Sequence, residues 1–223
     1  MDLSTSAPTK LTGISCTPSG WTDDDGDSAA YTYVWYMNGS SAGTTSSLAG
    51  TTLSRSVSVY ARVTPYDSYR SGTPVNSDTV TVQNSAPSLS SASVTPSPMY
   101  TNSVATCTPA GYVDLDGDTA DYSYAWYLNG AVTTETTALL NGTTQFDKAD
   151  RVYCTVTPSD GDEDGTLVRS SNLTVSNSSP VVDAVLGSSS TVAECDEIQL
   201  DGSAADDADD DQHLNRYGVA YRT

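Results

Sequence analysis

Tyr122-Ser123-Tyr124-Ala125-Trp126-Tyr127-Leu128-Asn129-Gly130 is the stretch that decides the fold. Tyr122, Tyr124, Trp126 and Leu128 fall at every second position, with the small Ser123 and Ala125 between them. That is the spacing of a strand with one heavily loaded face. Asn129-Gly130 then offers two residues tolerant of positive φ, the strongest short-range signal for a hairpin turn. Val152, Cys154 and Val156 alternate with Tyr153 and Thr155 in a second strand. Further short strands are expected near 89–95, 103–108, 137–146 and 166–175, with no helical stretch among them. Six or seven strands of this length in a unit of about ninety residues predict an all-β sandwich.

The same text occurs earlier in the chain. Cys16-Thr17-Pro18-Ser19-Gly20-Trp21 matches Cys107-Thr108-Pro109-Ala110-Gly111-Tyr112, an offset of 107 − 16 = 91. Asp23, Asp25, Gly26 and Asp27 match Asp114, Asp116, Gly117 and Asp118, and Tyr31, Tyr33, Trp35 and Tyr36 match Tyr122, Tyr124, Trp126 and Tyr127. By Val63-Thr64-Pro65 against Val156-Thr157-Pro158 the offset has grown to 158 − 65 = 93, so two residues are inserted between. Each unit ends in a small, turn-forming, Pro-terminated joint, Asn84-Ser85-Ala86-Pro87 and Asn177-Ser178-Ser179-Pro180. A repeat this long matches a self-contained domain rather than a solenoid unit. The expected organisation is therefore tandem: repeat one over 1–86 with an incomplete first strand, repeat two over 87–179, and the start of a third sandwich over 180–223.

Composition narrows the function. With 28 acidic against 9 basic side chains, the 223-residue chain carries a net charge of −19. Phosphate backbones demand Lys and Arg, so nucleic acid is not an expected partner, nor is an anionic membrane surface. No apolar run approaches the length of a membrane span. A single His and 17% charged residues leave little material for general acid–base chemistry, and an enzyme is not expected. The 14 Tyr and 3 Trp, placed in short alternating runs, speak against disorder.

Tyr-x-Trp-Tyr-x-Asn-Gly, the Asp-x-Asp-Gly-Asp before it and Val152-Tyr153-Cys154-Thr155-Val156-Thr157-Pro158-Ser159-Asp160-Gly161 resemble the immunoglobulin-like, PKD- or cadherin-like sandwich repeats that occur in tandem in large secreted and surface proteins of bacteria. Both full units share the resemblance. Ile198-Gln199-Leu200-Asp201-Gly202-Ser203 and the acidic stretch after it are similar to the opening of a PKD-type domain, the last one incomplete. The resemblance implies that Cys107 and Cys154 bridge the two sheets with Trp126 packed on the bridge. The alternative is two buried thiols. In repeat one Ala61 stands where repeat two has Cys154, so Cys16 is expected as a buried free thiol; Cys195 has no evident partner.

The acidic clusters are the candidate site. Asp114-Leu115-Asp116-Gly117-Asp118 places three carboxylates around a Gly that permits a sharp turn. Asp160-Gly161-Asp162-Glu163-Asp164-Gly165 repeats the arrangement and is similar to the first half of an EF-hand loop. An EF-hand is rejected, because its twelfth position is Ser171 rather than Glu. Crowded carboxylates repel one another unless a cation or water screens them, and hard oxygen ligands suit Ca²⁺. In an immunoglobulin-like sandwich the loops at 114–118 and 160–164 share the end at which the chain enters, so both should face the joint at Asn84–Pro87. Asp23, Asp25 and Asp27 form the corresponding cluster of repeat one, with only Asp67 in its second loop. The competing reading is a solvated acidic turn that holds no ion.

A second candidate is aromatic. Strand parity turns Tyr127 and Tyr153 outward, with Tyr36, Tyr60 and Arg62 as counterparts in repeat one. Such tyrosines either stack on a sugar or protein partner, or pair with one another across a solvent-facing sheet. The sequence thus leads to a non-catalytic structural stalk or fibre segment of an extracellular or surface protein, with Ca²⁺ stiffening its joints. Its partners would be neighbouring domains of a longer protein, with head-to-tail self-assembly also conceivable. The competing classes are an adhesion module for glycan or cell-surface protein, and accessory domains of a secreted hydrolase.

Overall fold

The computed structural model describes residues 1–179 and the backbone of a strand pair, β18 (Val181–Val182) and β19 (Ala205–Asp206), which run antiparallel. Apart from the backbone of Asp206, the acidic stretch expected in the third sandwich lies outside the described residues, as does Cys195. The chain divides into two compact units. One comprises Met1–Leu89 together with Gly111–Tyr122 and Thr157–Thr166. The other comprises Ser90–Ala110, Ser123–Val156 and the chain from Leu167 onward. No helix among the described residues is long and apolar enough to cross a membrane.

Repeat one is built from β1 (Asp2–Leu3), β2 (Ile14–Thr17), β3 (Ala30–Met37), β4 (Ser40–Gly43), β5 (Ser47–Leu48), β6 (Ser58–Tyr66), β7 (Val75–Asn76) and β8 (Val80–Thr81). They form two sheets, β1-β2-β5 and β4-β3-β6-β7, with β8 also pairing with β6. The central pair β3–β6 runs in register from Ala30 opposite Tyr66 to Met37 opposite Val59. Alternation then drives Trp35, Val59, Ala61 and Val63 into the space between sheets, against Ile14, Cys16, Leu48, Leu53 and Val82. At the β3–β4 turn Asn38 and Gly39 both take positive φ, 45° and 83°. This is the primed turn that the Asn-Gly pair announced.

Repeat two contains β9 (Ser91–Thr95), β10 (Met99–Tyr100), β11 (Val104–Ala110), β12 (Asp121–Leu128), β13 (Ala131–Val132), β14 (Leu139–Asn141), β15 (Arg151–Ser159), β16 (Val168–Arg169) and β17 (Leu173–Ser176). One sheet is β14-β11-β9; the other is β10-β17-β15-β12-β13, with β16 on β15. This is an all-β, immunoglobulin-like sandwich like that of repeat one. Its core joins Cys107 to Cys154 by a disulfide over the wholly buried Trp126. Trp126 donates its ring N–H to the Thr137 carbonyl at 2.9 Å, as Trp35 does to Thr45. Without that acceptor a buried N–H would cost about 1–3 kcal/mol, so each Trp fixes one loop as well as filling the core.

One expectation is corrected. Residues 137–146 are not a single strand: β14 ends at Asn141 and a single helical turn, α1 (Gly142–Gln145), follows. The Asn141 side chain accepts from the Thr143 N–H and caps the turn, which carries Phe146 into the core. Alternation in short polar sequence could not reveal this, because the cap acts locally against the strand pattern.

Candidate functional site

The two acidic loops of repeat two, with the tips of the strands that carry them, belong to the same compact unit as repeat one. Asp114 lies between β11 and β12, where its Oδ1 accepts from the N–H groups of Gly117 (2.6 Å) and Asp118 (3.0 Å). Gly117 has φ 86°, which lets the loop fold back over its own carboxylate. Asp160, at the end of β15, does the same: its Oδ1 accepts from Asp162 and Glu163. Its Oδ2 accepts from the Asn84 side-chain amide at 2.7 Å. Burial disfavours the Asp160 charge, but the N–H of Glu163, the Asn84 amide and the N–H of Asp162 outweigh it and hold the carboxyl below its usual range.

One carboxylate oxygen each from Asp114, Asp118 and Asp160 lie within 4.8 Å of one another and could hold a metal ion. Oxygens bound to one Ca²⁺ at about 2.4 Å can stand no further apart than about 4.8 Å, so the spacing fits. Four buried polar atoms at this site have no hydrogen-bond partner: Asn84 Oδ1, Asp114 Oδ2, Asp116 Oδ1 and the Tyr112 hydroxyl. Buried oxygens are rarely left this way. Burial raises the Tyr112 pKa, helped by the charges of Asp114 and Asp160.

The remaining carboxylates have other partners. Asp116 is almost wholly buried; its Oδ2 accepts from the Ser85 N–H at 2.8 Å, and Lys10 Nζ stands 3.6 Å from Oδ1. Lys10 also donates to the Leu115 carbonyl. Arg55 bonds both Asp118, at 2.7 Å, and Asp162. Asp164 is exposed and forms a bridge with Ser159 across the loop neck. The structure thus brings together Asp114, Asp118 and Asp160, and sets Asp162 and Asp164 apart. Asp23, Asp25 and Asp27 form an ordinary turn in which Asp23 Oδ1 accepts from the other two N–H groups. The expectation that both loops face the Asn84–Pro87 joint agrees with the bonds from Asn84 to Asp160 and from Ser85 to Asp116. Sequence reasoning missed the cations Lys10 and Arg55; the only hint of them was scarcity, since a chain with 9 basic side chains places two of them at its densest carboxylates.

The tyrosines pair with one another. Tyr127 and Tyr153 stack at 4.6 Å and 4°, with the Arg169 guanidinium 3.8 Å above the Tyr153 ring. Tyr36 and Tyr60, directly opposite in the β3–β6 register, stack at 5.0 Å. Each ring covers one face of its partner, and Arg169 also lies over the Tyr153 ring, so cross-strand pairing accounts for part of the aromatic surface.

No family model matches the chain, and no curated protein matches it. Among solved structures it is similar to a crystal structure of the FN1–FN3 domains of chicken CNTN1, at 13% identity over 87% of this chain and 78% of that one, with a TM-score of 0.35. So loose a likeness carries no weight for function.

Proposed function

We propose that this chain is a non-catalytic structural segment of a larger extracellular or surface protein, its joint at Asn84–Pro87 stiffened by a bound Ca²⁺. The observation that supports the cation is the pair of buried oxygens without a hydrogen-bond partner, Asn84 Oδ1 and Asp114 Oδ2, beside the Asp114–Asp118–Asp160 cluster. Asp114, Asp118 and Asp160 are the proposed ligands, with the Asn84 carbonyl oxygen as a neutral fourth. Lys10 and Arg55 neutralise Asp116, Asp118 and Asp162 only in part, so the loops keep a net negative charge that favours a divalent cation. Asp162 and Asp164 lie outside this proposed set, and Asp23, Asp25 and Asp27 lack the buried unpartnered oxygens. The Cys107–Cys154 disulfide supports an oxidising compartment. Similarity of residues 160–165 to the first half of an EF-hand loop supports the same reading.

Isothermal titration of the chelator-treated chain with CaCl₂ tests the site. The expected result is one Ca²⁺ per chain bound at Asp114, Asp118 and Asp160. Asp114→Asn should weaken it at least tenfold, whereas Asp25→Asn should leave it unchanged. Equal binding by the wild type and Asp114→Asn contradicts the assignment.

A further inference from the structure

The two repeats close their loops with the same bonds. In repeat two the Gly165 N–H donates to the Pro158 carbonyl, Ser159 bridges Asp164, and Asp160 Oδ1 takes the N–H groups of Asp162 and Glu163. In repeat one the Gly72 N–H donates to the Pro65 carbonyl, Tyr66 bridges Ser71, and Asp67 Oδ1 takes the N–H groups of Tyr69 and Arg70. Tyr112 meets Tyr122 edge-on at 6.1 Å, and Trp21 meets Tyr31 edge-on at 5.8 Å. These are one structure used twice.

The two copies differ in what fills them. In repeat two the joint lies in the notch: Pro87 is buried, its carbonyl oxygen sits where a Cβ of Gly165 would be, Ser88 bridges Val113, and Asn84 holds Asp160. In repeat one the same walls surround a cavity of about 320 Å³, lined by Trp21, Tyr31, Pro65, Tyr66, Asp67 and Gly72. A Cβ on Gly72 would meet only Pro65, its Cγ at 3.0 Å. Asp25, the counterpart of the buried Asp116, is exposed.

We propose that this cavity is a docking socket for an Asn-Ser-small-Pro joint carried by a preceding repeat of the same kind. The proline would lie between Trp21 and Gly72, and the Asn amide would donate to Asp67 as Asn84 does to Asp160. The sequence register sets how such a segment attaches. Asp2 pairs with Thr17 as Ser93 pairs with Thr108, and 93 − 2 = 108 − 17 = 91. A copy of residues 84–91 placed directly before Met1 therefore leads into the socket in the same register.

The test compares the full chain with and without that prefix, in chelator so that the outcome does not depend on the proposed Ca²⁺. The expected result is a blue shift of Trp21 emission and a rise in Tm of several degrees with the native prefix, and neither with a scrambled one. Gly72→Ala should cancel the gain in the prefixed chain, because a Cβ there meets the incoming proline carbonyl. In the unprefixed chain it should change Tm little. Equal behaviour of native and scrambled prefixes, or a gain that survives Gly72→Ala, overturns the proposal. Concentration-dependent association of the unprefixed chain that Gly72→Ala abolishes also overturns it, and would assign the socket to the 177–180 joint of a second copy.

Discussion

The Pro87 carbonyl oxygen occupies the space that a Cβ of Gly165 would need. Gly165 has no positive φ among the glycines that do, so close approach rather than backbone freedom requires the missing side chain. Gly165→Ala must push the joint out of its notch or distort the loop that carries Asp160. Overpacking of this kind costs about 1–3 kcal/mol. The expected outcome is a Tm lowered by several degrees, measured by circular dichroism. Gly72→Ala, where only Pro65 stands in the way, should cost far less.

The disulfide can be moved as well as removed. Cys107 and Cys154 close a loop with a sequence separation of 47, and the chain-entropy model gives such a bridge about 4 kcal/mol. Cys154→Ala should lower the denaturation midpoint of repeat two correspondingly. In repeat one Ala61 is fully buried at the counterpart position, and Cys16 is a buried free thiol whose pKa burial raises. Ala61→Cys should therefore form a bridge to Cys16, found by non-reducing peptide mapping. An unchanged free Cys16 thiol would refute the equivalence of the two cores.

Asp160 and Asp67 make the structure acid-sensitive in a definite direction. Burial opposes the Asp160 charge but the bonds from Glu163, Asn84 and Asp162 prevail, and the Arg70 and Tyr69 N–H groups lower Asp67. A carboxyl whose folded pKa is depressed contributes stability present above its unfolded pKa and lost as pH falls through the folded value. Stability should thus fall below the ordinary carboxylate range, about pH 4 and under. Asp160→Asn should flatten the acid limb of a Tm-against-pH curve. A limb as steep as the wild type's would show that other carboxyls govern it.

The Tyr127–Tyr153 stack, with Arg169 over it, should contribute to stability. Tyr153→Ala removes both contacts, and aromatic pairs are worth about 0.5–1.5 kcal/mol beyond their burial. A drop of that order in urea denaturation is expected. No drop at all would return these rings to the list of candidate ligand-binding groups.

Most of the sandwich could be read from the alternation around Trp126 and Cys154, because each sheet buries one face and leaves the other to solvent, which imposes a period of two on its long strands. The Asn-Gly turns were legible for a local reason: positive φ at Asn129 (51°) and Gly130 (88°) is a property of those residues. The acidic clusters were legible as clusters. Their approach to the Asn84–Pro87 joint was legible from sandwich topology, but the individual bonds were not, since Arg55 reaches Asp162 across 107 residues and Asn84 reaches Asp160 across 76. No periodicity encodes a contact that the folded joint creates. The turn at Gly142–Gln145 escaped for the opposite reason: one local cap overrides a weak strand pattern.

The central claim is that a cation completes the loops at Asp114, Asp118 and Asp160. A thermal melt of the chelator-treated chain with excess Ca²⁺, against excess Mg²⁺, tests it most directly. At a hundredfold excess over Kd, binding to the folded state alone adds about 2.7 kcal/mol. The account predicts a rise of several degrees with Ca²⁺, a smaller one with Mg²⁺, and neither in Asp114→Asn or Asp160→Asn. An unchanged Tm with Ca²⁺, or an equal rise with both ions that survives those substitutions, would contradict it.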